Sequence, residues 1–259
     1  MPPLNITLLQ TTITWEDPAA NLAHYEGLLR GLEATDLIIL PEMFTTGFTM
    51  DPGPYDEKMD GPAMRWMHQL AERHQAAVVG SLIIEEAGQF YNRLVWMAPD
   101  GTYQTYDKRH LFAMAGEHEH YAAGTERLIV EYKGWRICPM ICYDLRFPVW
   151  ARNDDAYDFL IYTANWPNKR AYDWKTLLKA RAIENQCYVA AVNRVGTDAN
   201  GHEYNGDSCV IDPGWRKTLW HADSGAEVVQ TLILSKEHLL EVRQRLPFLQ
   251  DRDRFRVEP

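Results

Sequence analysis

Short apolar runs alternate with longer amphipathic stretches along the whole chain, and the two patterns predict strands and helices in turn. Residues 4–10 (LNITLLQ) predict a strand. Residues 18–33 place Leu22, Tyr25, Leu28, Leu29 and Leu32 at helical spacing behind Pro18, which suits a first helical turn. DLIIL (36–40) predicts a buried strand that stops at Pro41, residues 61–75 a second helix, and residues 76–86 another strand. QFYNRLVWMAPDGTYQTYDK (89–108) alternates as strands do, with Pro99-Asp100-Gly101 as a hairpin turn. The second half repeats the theme. Residues 127–142 predict two strands around a turn at Lys133-Gly134, followed by a strand in DFLIYTANW, a helix over 172–186, and strands in CYVAAVNRVG and SCVIDP.

Hairpins mixed with helix-separated strands predict two sheets covered by helices, rather than one purely parallel, doubly wound sheet. No Pro-, Gly- or Ser-rich stretch is long enough to be a linker, so residues 1–235 are expected to form a single α/β domain. Residues 236–259 predict one helix and a charged tail with little core of its own.

Composition narrows the class. With 46% hydrophobic and 24% charged residues, the 259-residue chain can bury a substantial core. The net charge of −10, with lysine and arginine scattered, argues against nucleic acid as a partner, because no basic stripe is available to neutralise phosphates. No apolar run approaches the ~20 residues of a membrane span. Residues 1–30 lack a basic start followed by an apolar stretch of signal-peptide length, and four cysteines do not make a disulfide scaffold. The expectation is a reduced, cytoplasmic protein with no membrane partner.

Three predicted strands run into residues with useful chemistry: Glu42 after DLIIL, Lys108 after TYQTY, and Cys142 after RICPMI. Strand ends converge in open α/β folds, and ligands bind there. A thiol to attack, a carboxylate to move protons and a cation to hold developing negative charge would suit acyl transfer. Each residue also has an ordinary explanation. A glutamate after a strand is commonly a solvated loop residue, Lys108 lies in the charged stretch DKRH, and a free cysteine is often a small buried hydrophobe. For Cys142 the balance tips toward chemistry, because Pro148 suggests a helix beginning about one turn later, and a helix N-terminus beside a lysine favours a thiolate.

Cys138 and Cys142 are spaced C-x3-C, unlike redox or zinc-ribbon pairs, and a strand would hold them too far apart for a disulfide. Cys187 and Cys209 are expected in the core. His118 and His120 in GEHEHY lack the H-E-x-x-H spacing, so no metal is expected.

Taken together, LPEMFTTGF, YDKRHLF, ICYDLRFP, TANWP, LLKARAIENQCYVAAVNRVG and GDSCVIDP resemble, in this order, the motifs of the nitrilase or carbon–nitrogen hydrolase superfamily. The resemblance covers roughly residues 4–235. It implies an α–β–β–α sandwich and a catalytic set of Glu42, Lys108 and Cys142. It also implies a second glutamate seven residues before a glycine. Counting back from Gly124 gives Glu117, with Glu119 as the alternative register. One departure is the glycine of IDPGWRKTLW, which precedes Trp215 instead of following an aromatic or small residue. Members pair through helices, so a homodimer or larger homo-oligomer is implied, with the 236–259 tail at the subunit interface.

Within the superfamily, EHEHYAAG, CYDLRFPVW and RLPFLQDRDRF are most similar to the omega-amidase branch, which hydrolyses 2-oxoglutaramate or 2-oxosuccinamate. The implied mechanism is a Cys142 thioester, with Glu42 shuttling protons, the Lys108 ammonium and the Tyr143 backbone N–H holding the oxyanion, and no metal or organic cofactor. The remote carboxylate of such a substrate needs a cation from among Arg109, Arg146, Lys169 and Arg170, although Arg146 could instead brace its loop through Asp144. Phe44, Tyr143 and Trp166 are expected to wall the pocket. Arg181 and Glu184, three apart on a helix, are expected to pair structurally. The competing readings are a nitrilase, a carbamoylase, a deaminated-glutathione amidase, or a silent scaffold of the same fold.

Overall fold

The computed structural model describes residues 2–214 and 217–258. In the first half, β1 (Leu4–Gln10), α1 (Pro18–Leu28), β2 (Leu37–Ile39), α2 (Pro62–His74) and β3 (Ala77–Glu86) are followed by a meander of β4 (Gln89–Met97) and β5 (Tyr103–Asp107). The second half holds the short α3 (Glu117–His120), β6 (Val130–Tyr132), β7 (Trp135–Ile141), β8 (Phe159–Ala164), α4 (Ala171–Asn185) and β9 (Tyr188–Asn193). A small β10 (Val195–Thr197) and β11 (Glu203–Asn205) hairpin precedes β12 (Cys209–Ile211), β13 (Thr218–His221), β14 (Val228–Leu234) and α5 (Lys236–Arg245).

Local chemistry accounts for many of these boundaries. Pro18 opens α1 behind Asp17, whose carboxylate accepts from the Ala20 N–H at 3.0 Å. The helix ends at Leu28, short of the expected 33, because the chain turns through Gly31 in the left-handed region. Between β6 and β7, Lys133 and Gly134 both have positive φ (47° and 80°), as a tight hairpin with the native strand twist requires.

Two six-stranded sheets form, in the orders β14-β1-β2-β3-β4-β5 and β13-β12-β9-β8-β7-β6. Each has three parallel strands at its centre and antiparallel strands outside them. Leu4, Ile6, Leu8, Leu37, Ile39 and Val79 of the first sheet share a core with Ile137, Phe159 and Ile161 of the second. The opposite face of the first sheet, with Leu9, Ile38, Val78 and Val95, packs on Tyr25 of α1 and on Met64, Met67 and Leu70 of α2. Burying each such side chain is worth about 1.5–3 kcal/mol. Trp174, Leu178 and Ala182 of α4 join the core of the second sheet. The result is the four-layer α–β–β–α sandwich.

β14 was not foreseen. It pairs with β1 over seven residues, Leu4 opposite Leu234 through Gln10 opposite Val228, and so joins the two ends of the domain in one sheet. Helix α5 docks on its own chain through buried Leu239 and Val242, and Arg243 donates to Asp158 and Gln186. The unusual glycine of IDPGWRKTLW is Gly214, where a Cβ would stand 2.2 Å from a methyl of Val242 in α5. Trp215 itself lies outside the described residues. No helix among the described residues is long and apolar enough to cross a membrane.

Candidate active site

Strands β2, β5 and β7 deliver Glu42, Lys108 and Cys142, and the short α3 delivers Glu117. The Glu42, Lys108 and Glu117 side chains are almost wholly buried, and Cys142 is 9% exposed. Lys108 Nζ donates to Glu42 Oε1 at 2.9 Å and to both Glu117 oxygens at 2.9 Å. One ammonium thus holds two carboxylates that would otherwise repel each other. Glu42 also accepts from Asn92 Nδ2 at 2.8 Å and from the Asn165 backbone N–H at 2.8 Å. Glu117 accepts from the Phe112 backbone N–H as well. Of the two candidate glutamates, Glu117 is buried and reaches Lys108, whereas Glu119, like His118 and His120, is exposed. Gly124 makes this loop possible, because its N–H donates to the Lys108 carbonyl and a Cβ there would stand 2.2 Å from the Asp107 carbonyl oxygen.

The electrostatics set the resting protonation states. Burial alone would push the Lys108 ammonium toward neutrality, but the Glu117 and Glu42 carboxylates overrule it and hold its pKa above the ordinary lysine value. Burial pushes the Glu117 carboxyl up, against the pull of Lys108. Burial also pushes the Cys142 thiol well above its usual range; the Glu42 charge adds to this and Lys108 opposes it. The thiol therefore rests protonated, beside a carboxylate able to take its proton.

This overturns the expectation of a favoured thiolate. No helix begins one turn after the cysteine. Cys142 itself, at φ 41°, opens a 3₁₀ turn over Cys142–Arg146, and residues 148–151 form only turns. Five residues supply little dipole. The positive φ is a strained conformation that lifts this residue out of the strand at its end.

Fully buried Asp144 fixes that turn. Its carboxylate accepts from the Ile141 N–H at 3.1 Å and the Tyr106 hydroxyl at 2.7 Å, and from His110 through its backbone N–H at 3.0 Å and its ring Nδ1 at 2.8 Å. The Cys142 turn is thereby tied to the segment that carries Lys108. Arg181 of α4 adds a bond to the Leu145 carbonyl and pairs with Glu184, as the spacing predicted.

Cys142 and Lys108 open into a cavity of about 790 Å³, also lined by Phe48, Phe112, Tyr143, Arg146, Trp166 and Arg170. Its far wall carries Asp198, His202 and Tyr204. A family model described as carbon-nitrogen hydrolase matches residues 5–233.

The chain belongs to the carbon–nitrogen hydrolase family.

It is accordingly a hydrolase of amide carbon–nitrogen bonds, and several relatives match nearly its whole length. An omega-amidase from Yersinia enterocolitica, YafV, is 48% identical over 259 residues, covering 98% of this chain and 99% of that one. A 2-oxoglutaramate amidase from Bacillus subtilis is 35% identical, covering 95% and 96%. Among solved structures, XC1258 from Xanthomonas campestris superposes with a TM-score of 0.96 at 48% identity over the full length of both chains. XC1258 is a CN-hydrolase superfamily protein with an arsenic adduct in its active site.

Within this carbon–nitrogen hydrolase, several pocket expectations change. Phe44 does not line the cavity. Its ring packs between Tyr25 and Trp66, with centroids 5.7 and 5.8 Å away, in the core under α1 and α2. Arg146 does not brace Asp144; its Nη2 pairs with Asp173 at 2.7 Å, and its guanidinium lies 4.9 Å from the Trp166 ring centroid. Arg109 is committed to the Gly124 and Glu258 carbonyls, and neither it nor Lys169 lines the cavity. Tyr143 and Trp166 do line it.

Sequence reasoning missed Asn92 and Asn165. Asn92 lies within β4 and Asn165 follows directly after β8; both are buried and both donate to Glu42. A buried asparagine needs a specific partner, and that need was the available signal.

Proposed function

We propose that this enzyme hydrolyses the terminal amide of a 2-oxo dicarboxylic acid monoamide, 2-oxoglutaramate or 2-oxosuccinamate, through a thioester on Cys142. The observation that carries the reading is that Cys142, two arginines and Lys108, itself held by Glu42 and Glu117, line one cavity. The full-length similarity to an omega-amidase and to a 2-oxoglutaramate amidase supports the substrate class.

Glu42 takes the thiol proton as Cys142 Sγ attacks the amide carbon. The resulting oxyanion is held by the Lys108 ammonium and the Tyr143 backbone N–H, and one such donor is worth roughly 3–4 kcal/mol of barrier. Glu42 returns the proton to nitrogen, the carbon–nitrogen bond breaks, and ammonia leaves. Water then attacks the thioester, losing its proton to Glu42, and Glu117 helps to position it. The acid departs as the carbon–sulfur bond breaks and the thiol regains its proton. General acid–base work of this kind contributes about 10²–10⁴-fold. The chemistry uses only side chains and water.

The working unit is a homodimer, with residues 236–259 at the subunit interface. This is supported by exposed Phe248 and Phe255, which line one surface hollow with exposed Val149, and sedimentation giving a monomer mass would refute it. For the activity, the test is ammonia release from 2-oxoglutaramate, 2-oxosuccinamate, glutamine, a nitrile, an N-carbamoyl amino acid and deaminated glutathione. Preference for either of the first two supports the assignment. Preference for any other substrate sinks it and leaves the family membership untouched.

A further inference from the structure

We propose that Arg170 selects the substrate, by binding the carboxylate at the end remote from the scissile amide. The inference rests on the 2-oxo acid monoamide reading above and names the group that enforces it.

Three cations line the catalytic cavity: Lys108, Arg146 and Arg170. Lys108 is engaged by Glu42 and Glu117 and serves the reacting centre. Arg146 is already neutralised by Asp173 at 2.7 Å. No carboxylate among the described residues pairs with Arg170. Its guanidinium instead lies over the Phe112 ring, 5.0 Å from the centroid. A guanidinium held against an aromatic face by cation–π attraction, with no carboxylate partner, keeps N–H donors for the two oxygens of a carboxylate.

The backbone places this group with little freedom. Arg170 N–H donates to the Pro167 carbonyl at 3.0 Å, and the Arg170 carbonyl accepts from Trp166 Nε1 at 2.8 Å. Trp166 is in turn fixed through its backbone N–H to Asn193 Oδ1 at 2.8 Å. The stack also leads toward the nucleophile. The Phe112 ring meets the Tyr143 ring edge to face at 4.9 Å, and Tyr143 follows Cys142 directly. Arg170 therefore stands on the same wall as the thiol, separated from the nucleophile's neighbour by one aromatic ring. Glu16, Asp51 and Asp198 also line the cavity, and their carboxylates would repel a substrate carboxylate placed beside them. This arrangement favours a substrate with one remote negative charge and disfavours a neutral amide or a cationic one.

The test compares two substrates that differ only in that carboxylate, 2-oxoglutaramate and 4-oxopentanamide, on wild type, Arg170→Gln, Arg170→Lys and Arg146→Gln. Losing a charge-assisted hydrogen bond costs about 10–100-fold in kcat/KM. Arg170→Gln is expected to lose that much on 2-oxoglutaramate, mostly through KM, and to change its rate on 4-oxopentanamide less than about twofold. The product 2-oxoglutarate is expected to inhibit it correspondingly more weakly. Arg170→Lys should recover part of the loss, and an unchanged melting curve shows that the fold is intact. If wild type prefers 2-oxoglutaramate and Arg170→Gln retains that preference and the product inhibition, the role of Arg170 is overturned. A retained preference that Arg146→Gln abolishes assigns the carboxylate to Arg146. If wild type shows no preference for 2-oxoglutaramate over 4-oxopentanamide, the substrate class itself fails.

Discussion

Replacing Asp144 with alanine should damage both stability and catalysis, and the structure sets the scale of each. The Asp144 carboxylate serves four donors: the Ile141 N–H, the Tyr106 hydroxyl, and the backbone and ring N–H groups of His110. Ile141 and Tyr106 are buried, so their donors lose their acceptor with no water to replace it. His110 is 21% exposed in its side chain and can turn to solvent. A buried donor left unsatisfied costs about 1–3 kcal/mol, so the two together cost about 2–6 kcal/mol. At roughly 2.1 cal/mol/K per residue, unfolding a chain of this length carries an entropy near ~0.5 kcal/mol/K, and Tm should fall by about 4–11 °C. The same bonds tie the Cys142 turn to the Lys108 segment, and a misplacement of about 1 Å at a reacting centre costs on the order of 100-fold. Asp144→Asn keeps the shape and one accepting oxygen and should lose roughly half as much stability. Differential scanning calorimetry and an ammonia-release assay on the same preparations read both effects. If Asp144→Ala melts within about 1 °C of wild type and keeps its full rate, the network is not what holds the nucleophile.

Other outcomes follow from the same geometry. Because the Glu42 charge helps to hold the Cys142 thiol protonated, Glu42→Gln should alkylate with iodoacetamide faster than wild type at pH 8, yet lose at least ~100-fold in hydrolysis; slower alkylation would contradict the electrostatics. Glu117→Gln removes the carboxylate buried against Lys108 and should cut kcat by about 100-fold, whereas exposed Glu119→Gln should stay within about twofold; equal losses would mean that the register is wrong. The buried thiols of Cys138 and Cys209 are each pushed up to about 12 by burial, so the native state keeps protons that the unfolded chain releases near ~8.5. Their contribution to stability is complete below that lower value and is lost as pH rises toward 12. Tm should therefore fall between pH 9 and 11 on this ground. Cys138→Ala should flatten that slope, which calorimetry across the range would measure.

Much of the site was legible because its catalytic candidates end apolar strands. Glu42 after DLIIL, Lys108 after TYQTY and Cys142 after RICPMI each sit just past the end of a strand, where the chain leaves the sheet. Glu117 came from the family resemblance, which implies a glutamate seven residues before a glycine, and the structure supplies a physical reason for the glycine: a Cβ at Gly124 would collide with the Asp107 carbonyl. What failed was direction. Phe44 follows Glu42 by two residues, but Met43 at φ 43° turns the chain so that Phe44 returns to the core beneath α1. Pro148 looked like a helix start, yet local proline chemistry does not reveal that the turn begins six residues earlier. Pairings distant in sequence were also hidden. The β1–β14 ladder joins residues more than two hundred positions apart, and Glu42 is reached by Asn92 from β4 and by Asn165 just past the end of β8, in the other sheet. Periodicity reports which face is buried, not which element will cover it.

The central claim is that amide hydrolysis passes through an acyl group on Cys142. Rapid quenching of wild type during turnover of 2-oxoglutaramate, followed by intact-mass and peptide analysis, should find the acyl mass on the peptide that carries Cys142. The same peptide of Cys142→Ala should stay unmodified, and that variant should release no ammonia while keeping its melting temperature. Ammonia release at the wild-type rate from Cys142→Ala would contradict the account.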